Sequence, residues 1–254
     1  MMKYFGLPVL ASKHGADVDR MVIYLHLIMA LLFIGWGVYF VYTLWRFNET
    51  RVKKADYVGA RTHASTYVEV AVAVAEMVLL FAMAVPLWAN AADEFPKPED
   101  NPTVVRIIGR QFNWIGRYPG ADGKFGANKL ELVGSDNPLG LDKTDPAAKD
   151  DIIVESSEIA VPVNRPVIAH ITSLDVIHSF KVVPIRMTQD ATPGYSVPVH
   201  FIPTRTNTYQ IQCSQLCGNG HYSMRGYFKV LSQEDFDAWI KSKPTVGAGA
   251  VSYE

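Results

Sequence analysis

The only two cysteines among 254 residues lie in Cys213-Ser214-Gln215-Leu216-Cys217-Gly218-Asn219-Gly220-His221-Tyr222-Ser223-Met224, together with a histidine and a methionine. Thiolate, imidazole and thioether are soft donors, the set that copper prefers. A second imidazole, His178 in Asp175-Val176-Ile177-His178-Ser179-Phe180, stands upstream where a neighbouring strand can bring it alongside. C-x3-H-x2-M plus a distant histidine is the donor set of a mononuclear blue-copper centre. Cys213 is one thiolate more than such a centre needs. Two thiolates and two imidazoles suffice to bridge a pair of coppers, each metal keeping its own histidine. Two thiolate charges also largely offset a mixed-valence pair. The weak axial donors would then be the Met224 sulfur on one copper and the Gln215 backbone carbonyl on the other.

Three other readings use the same residues. Cysteines four apart in an exported domain can close a small-loop disulfide, which leaves both histidines and Met224 without a task. A structural Cys2His2 zinc site has no use for Met224 and favours tighter cysteine pairs. A catalytic cysteine with a histidine base leaves the second thiolate unexplained.

These donors need a rigid frame, and the rest of the chain supplies two kinds of element. Met21 to Trp45 holds no Asp, Glu, Lys or Arg over 25 residues, long enough to cross a bilayer. Tyr67 to Ala89 is a second candidate span of 23 residues, interrupted only by Glu69 and Glu76. The first apolar run is too long for a cleaved signal, so the first helix is expected to act as an uncleaved one. Arg46, Arg51, Lys53, Lys54 and Arg61 load the connecting loop with positive charge. That places the loop on the cytoplasmic side, with the N-terminus and the large C-terminal part outside. Glu69 and Glu76 share one helical face, roughly 10 Å apart along the axis. Carboxylates at that depth usually face a protein partner or water.

Pro96, Pro98 and Pro102 mark a linker, and short β-type runs follow, separated by turn residues. Val104 to Ile115, Ile152 to Glu155, Val167 to Thr172, Val176 to Val182, Val197 to Ile202, Thr208 to Gln212 and Gly226 to Leu231 are the candidates. Ser232 caps a short terminal helix. The expected organisation is an outer-face leader over 1–20 and a hairpin over 21–89, with helices at 21–45 and 67–89. A linker over 90–102, an all-β domain over 103–243 and a mobile tail over 244–254 complete it. A formal net charge of −1 and the absence of a basic stripe leave no nucleic-acid footprint.

From Asp17 to Lys241 the sequence resembles cytochrome c oxidase subunit II, on the cysteine stretch, on Asp175 to Phe180 and on Pro193-Gly194. Phe228-Lys229-Val230 and Glu234-Asp235-Phe236-Asp237-Ala238-Trp239 extend the match. The resemblance implies a cupredoxin-like Greek-key sandwich behind the two-helix membrane hairpin. It implies a dinuclear copper A centre on His178, Cys213, the Gln215 carbonyl, Cys217, His221 and Met224. Electrons would come from cytochrome c or a similar donor through Phe112, with Trp114 behind it, in Gln111-Phe112-Asn113-Trp114. Asp175 matches a carboxylate that attracts a positive donor. Arg117 stands where the family often has an acid, which works against a strongly basic donor. Glu69 matches the glutamate at the entrance of a proton path in the partner subunit. Glu76 falls where the family commonly has proline and Val72 where it has tryptophan. Gln215 replaces the family's usual glutamate, a magnesium ligand, so that ion is not expected.

The implied function is that of the electron-accepting subunit of a terminal oxidase in a bacterial-type inner membrane. Haem and a further copper would sit on subunit I, alongside other oxidase subunits and lipid. The chain has no C-x-x-C-H haem attachment, so no oxidase activity is expected from it alone. The nearest rival is the copper A subunit of a haem-copper nitric oxide reductase, which only the partner's metals distinguish. A membrane-tethered copper carrier is the rival from another class, and the fully committed pair of thiols argues against it.

Overall fold

The computed structural model describes residues 6–55, 57–59 and 61–248. The chain forms two units, one containing Asp17–Asn90 and the other containing Pro8–Ala16 and the residues from Ala91 onward.

In the first unit, α1 runs over Gly15–Arg46. The second helix begins as α2, Ala64–Leu79, widens into one π-turn at Leu80–Ala84 and continues as α3, Val85–Ala92. Pro86 has no N–H to donate to the preceding turn, and the wider turn stands just ahead of it. Both helices are long and apolar enough to cross a membrane. Their large apolar side chains, among them Phe33, Trp36 and Phe81, point outward. A water-soluble fold hides such groups, whereas a bilayer accommodates them.

The second unit reverses that arrangement, because its apolar side chains point inward between two five-stranded sheets. The first has the order β3-β2-β1-β5-β8, with β1 at Thr103–Arg110, β2 at Asn113–Tyr118, β3 at Ile152–Val154, β5 at Val167–Ser173 and β8 at Val197–Phe201. The second has the order β4-β10-β9-β6-β7, with β4 at Glu158–Pro162, β6 at His178–Val182, β7 at Met187–Ala191, β9 at Asn207–Cys213 and β10 at Arg225–Leu231. The pairs β1–β5 and β4–β10 are parallel and the others antiparallel. The architecture is the helical pair followed by a cupredoxin-like sandwich. Strand alternation explains the core: Val105, Ile107, Val167, Ala169, Ile171 and Ile211 all face inward and are fully buried. Trp114, Phe180, Phe228 and Phe201 form a chain of aromatic contacts with ring centroids 5.2, 6.4 and 5.9 Å apart. The helix α4, Gln233–Lys241, is capped by the Ser232 hydroxyl, which accepts from Asp235 N at 3.0 Å. Its Phe236 and Trp239 cover Tyr118.

Three features depart from the sequence reading. The run Val104 to Ile115 is not one strand but a hairpin, turning at Gln111-Phe112 so that Arg110 pairs with Asn113. Residues before the first helix join the sandwich: Ala11 N donates to Pro184 O at 2.8 Å and Ser12 Oγ to Ile185 O at 2.6 Å. Arg117 is fully buried rather than presented to a donor. The last six residues of the expected tail, and the first five of the leader, lie outside the described residues.

Candidate metal centre

The donors meet at one end of the second sheet because of strand register. β9 ends at Cys213, which pairs with Phe180 on β6, two residues beyond His178 at the start of that strand. β10 starts at Arg225, immediately after Met224, so the loop 214–224 is a β-hairpin connection pinned at both ends. Cys213 N donates to Met224 O and Ser214 N to Ser179 O. A single turn of 3-10 helix at His221–Ser223 folds the loop back.

Cys213 Sγ and Cys217 Sγ lie 3.7 Å apart and are free thiols. That exceeds the roughly 2 Å of a disulfide. It is less than twice a metal–thiolate bond of about 2.3 Å, so one metal can touch both sulfurs. His178 Nδ1 stands 4.0 Å from Cys213 Sγ, and His221 Nδ1 3.6 Å from Cys217 Sγ. Each imidazole therefore approaches a different thiol. Met224 Sδ is 3.7 Å from Cys217 Sγ, and the Gln215 carbonyl 3.1 Å from Cys213 Sγ. Every donor singled out from the sequence is thus within one step of the sulfur pair. The donor atoms of His178, Cys213 and Cys217 all fall within 4.8 Å of one another. Burial pushes the Cys217 thiol up to about 11, with the Cys213 thiol adding to the effect. A soft cation that displaces the proton removes that cost, so the site suits a thiolate-binding metal.

The imidazole of His178 is fixed from three sides. Its Nε2 is 2.8 Å from Asp175 Oδ1, which directs Nδ1 towards Cys213. The indole of Trp114 meets it edge-on, centroids 6.0 Å apart. Gly109 leaves its space, because a Cβ there would stand 2.8 Å from the ring. Asp175 is held in turn. Burial opposes its charge, but hydrogen bonds from Gln111 N, His178 and Val176 N outweigh that and hold its carboxyl below the ordinary carboxylate range.

Phe112 is at the tip of the β1–β2 hairpin, 38% exposed, and Trp114 is completely buried against His178 and Phe180. Glu69 and Glu76 lie on α2 with exposed side chains, outside the metal centre. Arg117 is buried between the first sheet and the insertion that covers its outer face, its Nε donating to Asp151 Oδ2 at 3.1 Å. Its charge is spent there, and it has no bearing on a donor. Gln111 reads in the sequence as a mere part of the aromatic stretch, yet it touches both ligand loops. Gly218 and Gly220 carry the signal for it: two side-chain-free positions between Cys217 and His221 leave room for a neighbour to lie on the loop.

The family described as cytochrome c oxidase subunit II, periplasmic domain, matches residues 103–230. The alternative cytochrome c oxidase subunit 2 of Bradyrhizobium diazoefficiens is 29% identical over 218 residues, covering 86% of this chain and 77% of that protein. The cytochrome c oxidase subunit 2 of Cereibacter sphaeroides is 29% identical over 248 residues, covering 92% of this chain and 77% of that protein. The crystal structure of the periplasmic domain of the Bradyrhizobium japonicum subunit II is 27% identical, with a TM-score of 0.40, and covers 55% of this chain and 91% of that one.

Proposed function

Because this chain belongs to the cytochrome c oxidase subunit II family, we propose that it accepts single electrons at a dinuclear copper centre and passes them to haem in subunit I. The observation that carries the reading is the pair of free thiols 3.7 Å apart, each with its own imidazole and its own weaker donor, a carbonyl or a thioether, beside it. A single tetrahedral zinc would gather both imidazoles around one point and leave Met224 idle. Bound there, a copper pair supplies a one-electron store shared between two metals.

The chain's own part is to hold that store still. Cys213, Cys217, His178, His221, Met224 and the Gln215 carbonyl are the residues that would hold it. The ligands hang from strand ends packed on the Trp114–Phe180–Phe228 aromatics, so they move little when one electron arrives or leaves. Phe112, the partly exposed aromatic nearest the ligand loop, is where an electron from cytochrome c or a similar donor crosses to the metal. Trp114 packs behind the metal ligand His178 in the core. Asp175 serves the donor face chiefly through His178, since its two oxygens already accept from Gln111 N, Val176 N and the His178 ring. From residue 90 onward the acids exceed the bases by 19 to 16, so steering of a positive donor is modest. Glu69 and Glu76, on one face of α2, supply carboxylates to a proton path that runs in the partner subunit. Gln215 offers an amide where magnesium prefers a carboxylate, and no such ion is assigned. The sandwich stands on the outer face of a bacterial-type inner membrane.

The test is purification of the native complex, haem typing, and turnover with reduced cytochrome c against oxygen and against nitric oxide. The account predicts oxygen consumption with cytochrome c as donor. Turnover with nitric oxide alone would transfer the chain to a reductase complex.

A further inference from the structure

Outside the two ligand loops, one residue reaches both of them. The backbone N–H of Gln111 donates to Asp175 Oδ2 at 2.7 Å, and Asp175 Oδ1 holds His178 Nε2 at 2.8 Å. The side-chain Nε2 of Gln111 donates to the Cys217 carbonyl at 2.7 Å. The residue after it completes the contact. A Cβ on Gly220 would stand 2.4 Å from the Phe112 ring, and one on Gly218 would stand 2.8 Å from Gln111 Nε2. Gly218 also has φ 127°, a conformation that side chains disfavour. The loop therefore has its two glycines where the hairpin tip lies on it.

We propose that Gln111 is a positioning residue of the copper centre: it ties the His178 loop and the Cys217 loop to one hairpin tip, setting the two halves of the donor set in register before metal arrives. The tip belongs to the first sheet, whereas His178 and Cys213 are on strands of the second and Cys217 is in the loop joining β9 to β10. The tie thus holds two loops of the second sheet against one hairpin tip of the first, so that the spacing between the His178 loop and the Cys217 loop is set by a single residue. Site geometry of this kind depends on supporting hydrogen bonds as much as on the ligands. The inference rests on the copper reading above.

Two variants of the full chain test it. Gln111→Glu keeps the length of the side chain but replaces the donor by an acceptor-only carboxylate, and Gln111→Leu removes the donor without adding charge. The backbone donation to Asp175 survives in both. Cys217 is 3% exposed, so its alkylation in the reduced, copper-free chain reports opening of the loop. Loss of one well-placed hydrogen bond should speed that alkylation by about tenfold, and release of copper to a chelator by about as much. The copper hyperfine splittings should shift as well. Wild-type alkylation rates with unchanged splittings, in variants whose circular dichroism is native, would overturn the proposal. So would loss of the folded sandwich in both variants, since Gln111 would then be part of the scaffold. Absence of copper from the wild-type chain would instead remove the copper reading, while alkylation, measured without metal, still judges the tie.

Discussion

Arg117 and Asp151 form a buried ion pair between the first sheet and the insertion that covers its outer face, whereas the donors around Cys213 and Cys217 face one another at the end of the sandwich. In the first cluster every guanidinium nitrogen is used: Nε and Nη2 on Asp151, Nη2 also on the Gly126 carbonyl, Nη1 on Asn128. Asp151 Oδ2 further accepts from Gly126 N at 3.0 Å. Charge meets charge on Asp151 Oδ2, while Asp151 Oδ1 is buried without a hydrogen-bond partner. In the second, two thiols, two imidazole nitrogens and a thioether lie 3.6–4.0 Å apart, linked only through sulfur, a weak donor and acceptor. Protein atoms do not complete that set. The difference separates a buried structural ion pair, neutralised from within, from a set of soft donors suited to an ion from outside.

The comparison breaks most completely at Cys213. Cys213→Ser removes one bridge and should turn a two-copper signal into a one-copper signal or none, read by paramagnetic resonance, while the sandwich stays folded. Asp151→Ala attacks the other cluster. It strands the buried Arg117 charge and should cost about 3–5 kcal/mol in a denaturant titration. The copper spectrum of the folded fraction should not change, since no copper donor depends on that pair. Asp175→Asn tests whether the metal site too relies on an internal anion, and copper affinity should fall roughly 10–100-fold. The smallest effect concerns Asp142, in the same insertion as Asp151. Hydrogen bonds from Lys129 and then Thr144 hold its carboxyl down to about 2, against an ordinary 3.8. A depressed carboxylate contributes stability that is complete above its unfolded value and is lost as pH falls through the folded one. Asp142→Asn should therefore lower stability at neutral pH, and the difference from wild type should shrink as pH falls from about 4 to 2.

The same contrast accounts for what is legible in the chain. Soft donors are scarce in any sequence, so Cys213, Cys217, His221 and Met224 within twelve residues are conspicuous, and His178 follows from an adjacent apolar run. The two helices are legible because a water-soluble fold seldom runs 25 residues without Asp, Glu, Lys or Arg. Arg117 is not, because its partner Asp151 lies 34 residues away across an irregular insertion. The turn at Gln111-Phe112 is hidden inside an apolar run without glycine or proline at its tip, so β1 and β2 read as one strand. β7, Met187–Ala191, has polar side chains on an edge of its sheet and carries no strand-like alternation of apolar residues. Local pattern marks donors and spans, while long-range pairing decides which charges are spent inside.

Copper content and paramagnetic resonance of the copper-loaded chain, recorded together, test the central claim most directly. The account predicts two coppers per chain and a signal split by two equivalent copper nuclei. One copper per chain with a single-nucleus pattern, or zinc in place of copper, would contradict it.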